Sequence, residues 1–384
     1  MTQPGAAALS DAKDRFFRWL AQDAYPLWAT QGVDRAGFGF FEKIDADGRA
    51  VRGPRRARVL GRQIYAFAQG QTFGWDGPAG DLVRHGIEAL PRFMRRDDGL
   101  TCPLVADDGG ALEGRPDLYD QAFTLFGLAH AIEWVDDPRA LEAQAERIRH
   151  TLETDLAHPV AGFEEALPRA LPLRANPHMH LLEAALAWAE VASQAAPWDA
   201  MADGIVELAL NRFIDPATGA LHEFFDGDWN RMDGDQAVVE PGHQFEWGWL
   251  LMRWGRLRDR VDAIAAGRRL VHIGEDDGLD ASRGVLFNAL NPDLSVRDAS
   301  ARLWPQTERI KAWALIAEMD NDDDARGRAA AAVDALMLYF RKDTPGSWLD
   351  RMSADGSLIE EPAPASSFYH IVCAARVLAD LPNA

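Results

Sequence analysis

Two kinds of apolar pattern alternate along the chain, and both have the period of a helix. Apolar residues recur at i, i+3 and i+4 over roughly 10–30, 57–72, 80–95, 118–135, 138–154, 176–194, 198–213, 242–257, 261–278, 302–320, 322–342 and 366–381. That spacing lays one apolar face along a 3.6-residue helix, so about twelve helices are expected. The odd-numbered ones carry charge that reads as a solvated face, as in ALEAQAERIRHTLE and DARGRAAAAVDALMLYF. The even-numbered ones gather polar and aromatic residues near their starts: RVLGRQIYAFAQG, PDLYDQAFTLFGLAHA, NPHMHLLEAALAWA, EPGHQFEWGWLLMRW, RLWPQTERIKAWALI and SSFYHIVCAARVLA. Strand-like material is short: GFGFFEKIDADGRAV, GALHEFFDGDWNRM, GVLFNALNPDLSV and GSWLDRMSADGSLI. Each holds a turn signal (DADG, DGD, NPD or SADG) and predicts a small hairpin.

Starts of the even-numbered helices recur about every 58–66 residues, so the repeating unit is a helix pair. Six pairs closed into a ring give an all-α (α/α)6 barrel with short β-hairpins in its loops. Its inner helices run parallel, and their N-termini meet at one mouth. An open helical solenoid fits the same pattern. No Ser/Gly-rich linker or low-complexity segment interrupts the chain, so residues 1–384 are expected to form one domain.

Composition narrows the function. With 384 residues and 47% apolar positions, the chain buries a large core. A net charge of −20, spread along its length, disfavours nucleic acid and anionic membrane as partners, since both need clustered Lys and Arg. The two cysteines, Cys102 and Cys373, are far apart and match neither a zinc ribbon nor a disulfide framework. No basic n-region precedes an apolar segment at the start, and no apolar run reaches about 18 residues, so a cytoplasmic protein is expected. The sequence leaves room for a homodimer and specifies none.

Candidate chemistry sits at three even-numbered helix starts. In NPHMH, Asn176 is placed to cap and Pro177 to open the helix. His178 and His180 are about 200° apart, so one faces inward. Asn176 and His180, four apart, share a face, which picks His180 and leaves His178 structural or exposed. In EPGHQFEW, Pro241 suits the first helical position, His243 falls in the first turn, and Glu246 lies one turn below it. In SSFYHIV, Ser366 or Ser367 is placed to cap and His370 follows one turn in. The positive end of a helix dipole disfavours imidazolium and keeps a first-turn ring neutral; a carboxylate such as Glu246 opposes this. Such opposed effects poise a base near neutrality. One such histidine is ordinarily a packed residue. Three at the same mouth point to a site.

A catalytic metal is not expected. His-x-His diverges on a helix, no HExxH occurs, and the H-x-x-E of 243–246 lacks a partner E-x-x-H helix. Arg62 and Glu308 lie on even-numbered helices, where burial demands an ion pair or a polar ligand. Trp304, Trp247, Trp249, Tyr65, Tyr119 and Phe368 lie near the same ends. One or two of them suit the C–H face of a sugar, and the rest read as core. No phosphate loop or dinucleotide fingerprint is present, and no cofactor is expected.

These residues resemble a known family. PGHxxEW at 241–247, NxxMH at 176–180, WPQxE at 304–308, FYH at 368–370 and GRQIY at 61–65 look like the N-acylglucosamine 2-epimerase superfamily, which includes mannose and sulfoquinovose isomerases. The likeness runs in order from about residue 12 to 380. It implies an (α/α)6 barrel and proton transfer beside the carbonyl of a monosaccharide. By resemblance the catalytic pair is His243 and His370. Arg62, Asn176, His180, Glu246 and Glu308, with Tyr119 and Trp304, bind or orient the open-chain sugar. Isomerase members also carry a substrate-contacting arginine upstream of PGH; Arg231 is its nearest counterpart, at a longer spacing. PGHxxEW is closer to isomerase members than to the GHDxE of cellobiose 2-epimerases. The expected reaction is therefore aldose–ketose isomerisation of a free hexose, D-mannose to D-fructose in type, with sugar 2-epimerisation as the alternative. An inverting glycoside hydrolase using Glu246 and Glu308, and a non-enzymatic toroid that binds a protein partner, are the more distant readings.

Overall fold

The computed structural model describes residues 4–381. Helices α1 (Pro4–Trp19) and α2 (Tyr25–Gln31) run on through a π turn as one rod. They are followed by α3 (Ala57–Ala68), α4 (Ala79–Ala89), α5 (Leu118–Ala131), α6 (Pro138–Asp155), α7 (Ala175–Val191), α8 (Ala196–Leu208), α9 (Pro241–Arg258), α10 (Val261–Asp276), α11 (Leu303–Asp320), α12 (Asp323–Met337) and α13 (Ala365–Asp380). Each expected helix is present, with ends moved by a few residues. Inner helices α3, α5, α7, α9, α11 and α13 pack in that order, and α13 returns to α3. The ring is closed, an (α/α)6 barrel, and the solenoid alternative falls.

Burial separates the two layers. Most residues of α7, α9 and α11 are buried all round, whereas α6 and α10 bury only a stripe and turn charge to solvent. Glycines set the closest approaches. An added Cβ at Gly61 of α3 would lie 2.0 Å from the Phe123 carbonyl oxygen of α5. Gly248 of α9 and Gly267 of α10 abut in the same way.

The loops follow a sixfold scheme that fixes the mouth. After each outer helix a glycine takes positive φ: Gly39 (60°), Gly99 (82°), Gly162 (66°), Gly219 (80°), Gly284 (72°) and Gly346 (86°). The chain then pairs with the residues just before an inner helix. Arg55–Arg56 pairs with Leu104–Val105, Leu173–Arg174 with Phe224–Phe225, Ala301–Arg302 with Arg351–Met352, and Ala363–Pro364 with Lys43–Ile44. Single bridges Asp117–Ala166 and Val239–Leu290 complete the set.

At the inner helices this pairing does most of the capping, joined at α5 by the Asp117 side chain, which accepts from Asp120 N at 2.7 Å. The first N–H groups of five inner helices, at Ala57, Leu118, Ala175, Leu303 and Ala365, donate to the carbonyls of Pro103, Glu165, Glu223, Asp350 and Glu42. The sixth, α9, opens on Pro241, which has no N–H to satisfy. The expected caps are therefore corrected. Asn176 lies inside the first turn of α7, and Ser366 and Ser367 inside that of α13, with no capping bond. Two expected hairpins, at 37–51 and 284–296, form as such. Those at 219–232 and 346–359 also close, through the bridges Phe225–Arg231 and Met352–Leu358, and pair in addition with the strands before α7 and α11.

Candidate active site

A cavity of about 200 Å³ opens among the N-terminal turns of the inner helices. Arg62 comes from α3, Tyr119 from α5, Asn176 and His180 from α7, His243 and Glu246 from α9, Trp304 from α11, and Ser366, Ser367 and His370 from α13. Eight of the nine residues expected from sequence thus line one wall. Glu308, the ninth, is fully buried behind His370. His178 is apart, as expected: its Nδ1 donates to the Arg174 carbonyl at 3.1 Å, and its Nε2 accepts from Phe163 N at 3.0 Å. Arg231 does not reach the cavity; it lies 3.4 Å from Asp215. A second cavity of about 750 Å³ opens at the opposite end of the barrel, with Glu183, His130 and Trp249 in its wall.

The two histidines of the resemblance are held alike and charged differently. His243 Nδ1 lies 2.9 Å from Glu223 Oε2 and 3.5 Å from Glu240 Oε2. Burial disfavours the charged ring, but these two carboxylates outweigh it and raise its pKa to about 10. This corrects the sequence expectation of a neutral ring poised by Glu246. Glu223 arrives from the loop after Gly219, and no motif on α9 signals it. His370 Nδ1 lies 2.9 Å from Glu308 Oε1. There burial wins and holds the pKa at about 4, so the ring is neutral, its Nδ1–H donating to Glu308 and its Nε2 bare.

His370 faces one carboxylate where His243 faces two, and Arg62 and Lys311 both disfavour its charged form. Lys311 acts from behind Glu308. Its ammonium, 0% exposed, is 2.6 Å from Glu308 Oε2 and so weakens the pull of Glu308 on the ring. Sequence reasoning passed over Lys311, although ERIK places it one turn from Glu308 on the same face. Trp304 stands between the two histidines, its ring centroid 4.9 Å from that of His243 and 5.7 Å from that of His370. Gly242 makes this place available, since an added Cβ would lie 2.5 Å from the indole.

Several polar groups await a ligand. Both oxygens of Glu246, at 1% exposure, lack a hydrogen-bond partner among the described residues. Burial, with Glu308 nearby, drives this carboxyl well above the usual range and so favours its protonated form. Arg62 gives one bond, to Tyr119 Oη at 2.8 Å, and its Nε is unpaired. The Asn176 amide lies 3.2 Å from His243 Nε2 while its own Oδ1 is unpaired. With the ring protonated, the amide turned over accepts from Nε2–H. His180, neutral through burial with a pKa of about 3, approaches Glu183 at 3.5 Å and Glu246 at 3.9 Å.

Among the described residues three donor sets have the spacing to hold a cation: His180 with Glu183 and Glu246, Glu223 with Glu240 and His243, and Glu246 with Glu308 and His370. In the last two, positive charge is already provided, by the protonated His243 ring and by Lys311. The arrangement as it stands is suited to moving a proton: a cationic donor and a neutral acceptor face one small cavity rich in hydroxyl-binding groups.

Comparisons with known proteins bear on the family and the fold. The profile of the family described as N-acylglucosamine 2-epimerase (GlcNAc 2-epimerase) matches residues 39–374. A mannose-6-phosphate isomerase of Rhizobium meliloti (strain 1021) is 44% identical over 94% of this chain and 95% of its own. A cellobiose 2-epimerase of Bacteroides fragilis is 24% identical over 90% and 92%. The crystal structure of a D-mannose isomerase superposes with a TM-score of 0.86 at 19% identity, over 95% of this chain and 96% of that one. No helix among the described residues is long and apolar enough to cross a membrane.

Proposed function

This chain belongs to the N-acylglucosamine 2-epimerase family, a family of sugar isomerases and epimerases, and from that premise we propose that it is an aldose–ketose isomerase of the D-mannose to D-fructose type. The observation that carries the reading is the opposed state of His243 and His370 at one cavity. His370 Nε2 removes the C2 proton and returns it to C1. His243 gives a proton to O1 and takes that of O2, so none is gained or lost overall. Charged through neutral pH, it also stabilises the oxyanion of the enediolate. Arg62, Tyr119, Asn176 and His180 hold hydroxyls of the open chain, and the unpartnered carboxyl of Glu246 binds one more. Trp304 offers an aromatic face to the sugar carbons. Glu308 acts through His370 rather than on the sugar.

A 2-epimerase working from two faces needs each histidine, in one direction of the reaction, to start neutral as the base that removes the C2 proton. A ring held charged up to about pH 10 is poorly matched to that task, which supports isomerisation over epimerisation. The hydrolase reading needs Glu308 at the cavity as acid or base, and Glu308 is engaged by Lys311 and His370. The Rhizobium relative is named for a 6-phosphate. Here the cations of the wall besides His243 are Arg62 and Arg302; Arg302 is paired with Asp350, and His243 with Glu223 and Glu240. That balance supports a free sugar.

The test is NMR of D-mannose and of D-mannose 6-phosphate with the enzyme in D2O, with and without EDTA. Fructose from the free sugar bears the reading out. Fructose 6-phosphate alone moves it to the phosphorylated substrate. Glucose carrying deuterium at C2, without ketose, replaces it with 2-epimerisation.

A further inference from the structure

Three buried carboxyl groups act on one another: Glu183 of α7, in the wall of the larger cavity, Glu246 of α9, in the wall of the smaller one, and Glu308 of α11 beside it, none more than 4% exposed. Carboxylates so placed repel one another and lack water, and a buried cation is what allows them to ionise. Lys311 brings that cation. Its Nζ is 2.6 Å from Glu308 Oε2, 3.9 Å from Glu246 Oε1 and 4.1 Å from the centroid of Trp249. It is absent from the wall of the cavity, so a bound sugar does not touch it.

We propose that Lys311 is the positioning residue for the base: by holding Glu308 ionised, it keeps the His370 proton on Nδ1 and the Nε2 lone pair toward the cavity. The inference rests on the isomerase reading for the meaning of "base", and on geometry for the rest. Glu308 Oε1 meets His370 Nδ1 at 2.9 Å and the Thr307 hydroxyl at 3.1 Å, and Oε2 meets Lys311 Nζ at 2.6 Å. As a carboxylate it accepts from the ring and the hydroxyl and forms an ion pair with the ammonium. Protonated, it would donate to Nδ1 and drive the ring proton to Nε2, where the reacting atom must be taken up. Lys311 decides between these states, since its charge is what holds Glu308 below the usual carboxylate range against burial. Other groups that face His370 do not replace it. Arg62 of α3 and His180 of α7 lie on its cavity side. Tyr369 beside it donates to Glu183, and the charged His243 of α9 is engaged by Glu223 and Glu240 rather than Glu308.

The decisive variant is Lys311→Met, read by ¹⁵N NMR of labelled histidine and by steady-state kinetics. Expected are a switch of the His370 tautomer from Nδ1–H to Nε2–H and a loss of about 10²-fold or more in kcat with KM nearly constant. A merely structural lysine would lower Tm and leave the tautomer alone, so an unchanged His370 spectrum overturns the proposal. If the single variant does not fold, Lys311→Met/Glu183→Gln removes one charge of each sign, and the same spectrum decides. The NMR readout needs no substrate. A tautomer switch in an enzyme that turns over no hexose would therefore keep the positioning role and withdraw only the reaction.

Discussion

His243 and Glu223, twenty residues apart in sequence, meet at 2.9 Å, Nδ1 to Oε2, with both side chains nearly inaccessible. Burial alone would leave the ring neutral. Glu223, with Glu240 behind it, reverses the outcome and gives the site its charged donor. The Glu223 carbonyl meanwhile accepts from Ala175 N at the start of α7. One loop residue thus ties the first turn of one inner helix to the reacting group of the next.

Glu223→Gln should separate these duties, because the amide keeps the main-chain bond and loses the charge. The basic limb of the kcat/KM profile, placed near pH 10 by the raised pKa of His243, should move toward neutrality. Turnover at neutral pH should fall by about 10²–10³-fold, the weight of a general acid. A basic limb that stays in place would mean that Glu223 does not set the charge of His243.

The buried neutral histidines predict how stability depends on pH. His178 and His370 are held at about 4 and His180 at about 3, chiefly by burial, against about 6.5 in the unfolded chain. Between these values the unfolded state binds more protons, so stability rises with pH. By pH 4, uptake at His178 alone opposes folding by up to about 3 kcal/mol. His243 runs the other way: its raised pKa contributes fully below about 6.5, and the contribution is lost as pH climbs toward 10. Tm should therefore peak near neutrality and drop steeply below pH 6. A Tm flat from pH 4 to 7 would contradict the buried, neutral assignment.

Helices and layers were legible because period and polarity are local properties. The twelve apolar stripes map onto α1–α13, and the polar starts of the even-numbered segments all face the cavity. Caps were misread for a non-local reason. Asn176, Ser366 and Ser367 have the chemistry of caps, but backbone carbonyls from neighbouring loops already hold the N–H groups of α7 and α13. A signal for this was present: Gly39, Gly99, Gly162, Gly219, Gly284 and Gly346 repeat with the helix pairs, and acidic residues follow closely in GFFE, GFEE, GALHE and GSWLD. Read as a repeat, GALHE points at Glu223. Lys311 was hidden for the opposite reason, since a lysine on a helix is ordinarily solvated.

Trp304 owes its place to the absence of a side chain at Gly242, which gives a sharp test of the aromatic wall. In Gly242→Ala the new methyl would lie 2.5 and 2.6 Å from indole carbons and 3.0 Å from the Pro305 Cβ. Backbone and proline cannot yield, so the indole must shift from between His243 and His370. If Trp304 is the sugar platform, KM for mannose should rise about tenfold or more, the equivalent of roughly 1–3 kcal/mol of overpacking. Tryptophan fluorescence should report the displaced ring. Unaltered KM beside an altered spectrum would assign Trp304 to packing only.

Closure of the inner ring at α3–α5 depends on a tighter contact and predicts a larger effect. At Gly61 a Cβ would stand 2.0 Å from the Phe123 carbonyl oxygen, and at Gly127 2.7 Å from Gly61 Cα, so each helix presses its backbone on the other. Neither atom belongs to a flexible side chain, and relief requires the helices to part. Arg62 and Tyr119, whose 2.8 Å bond spans the same two helices, would part with them. Gly61→Ala should therefore cost more than about 3 kcal/mol, at the upper end of overpacking, and weaken sugar binding together with stability. Gly204→Ala, on the outer helix α8 with open space at its Cβ, is the control and should leave Tm level or slightly raised, by the usual helix preference for alanine. Thermal unfolding of the two variants side by side decides. Equal Tm values would show that α3 and α5 have room the close backbone contact denies.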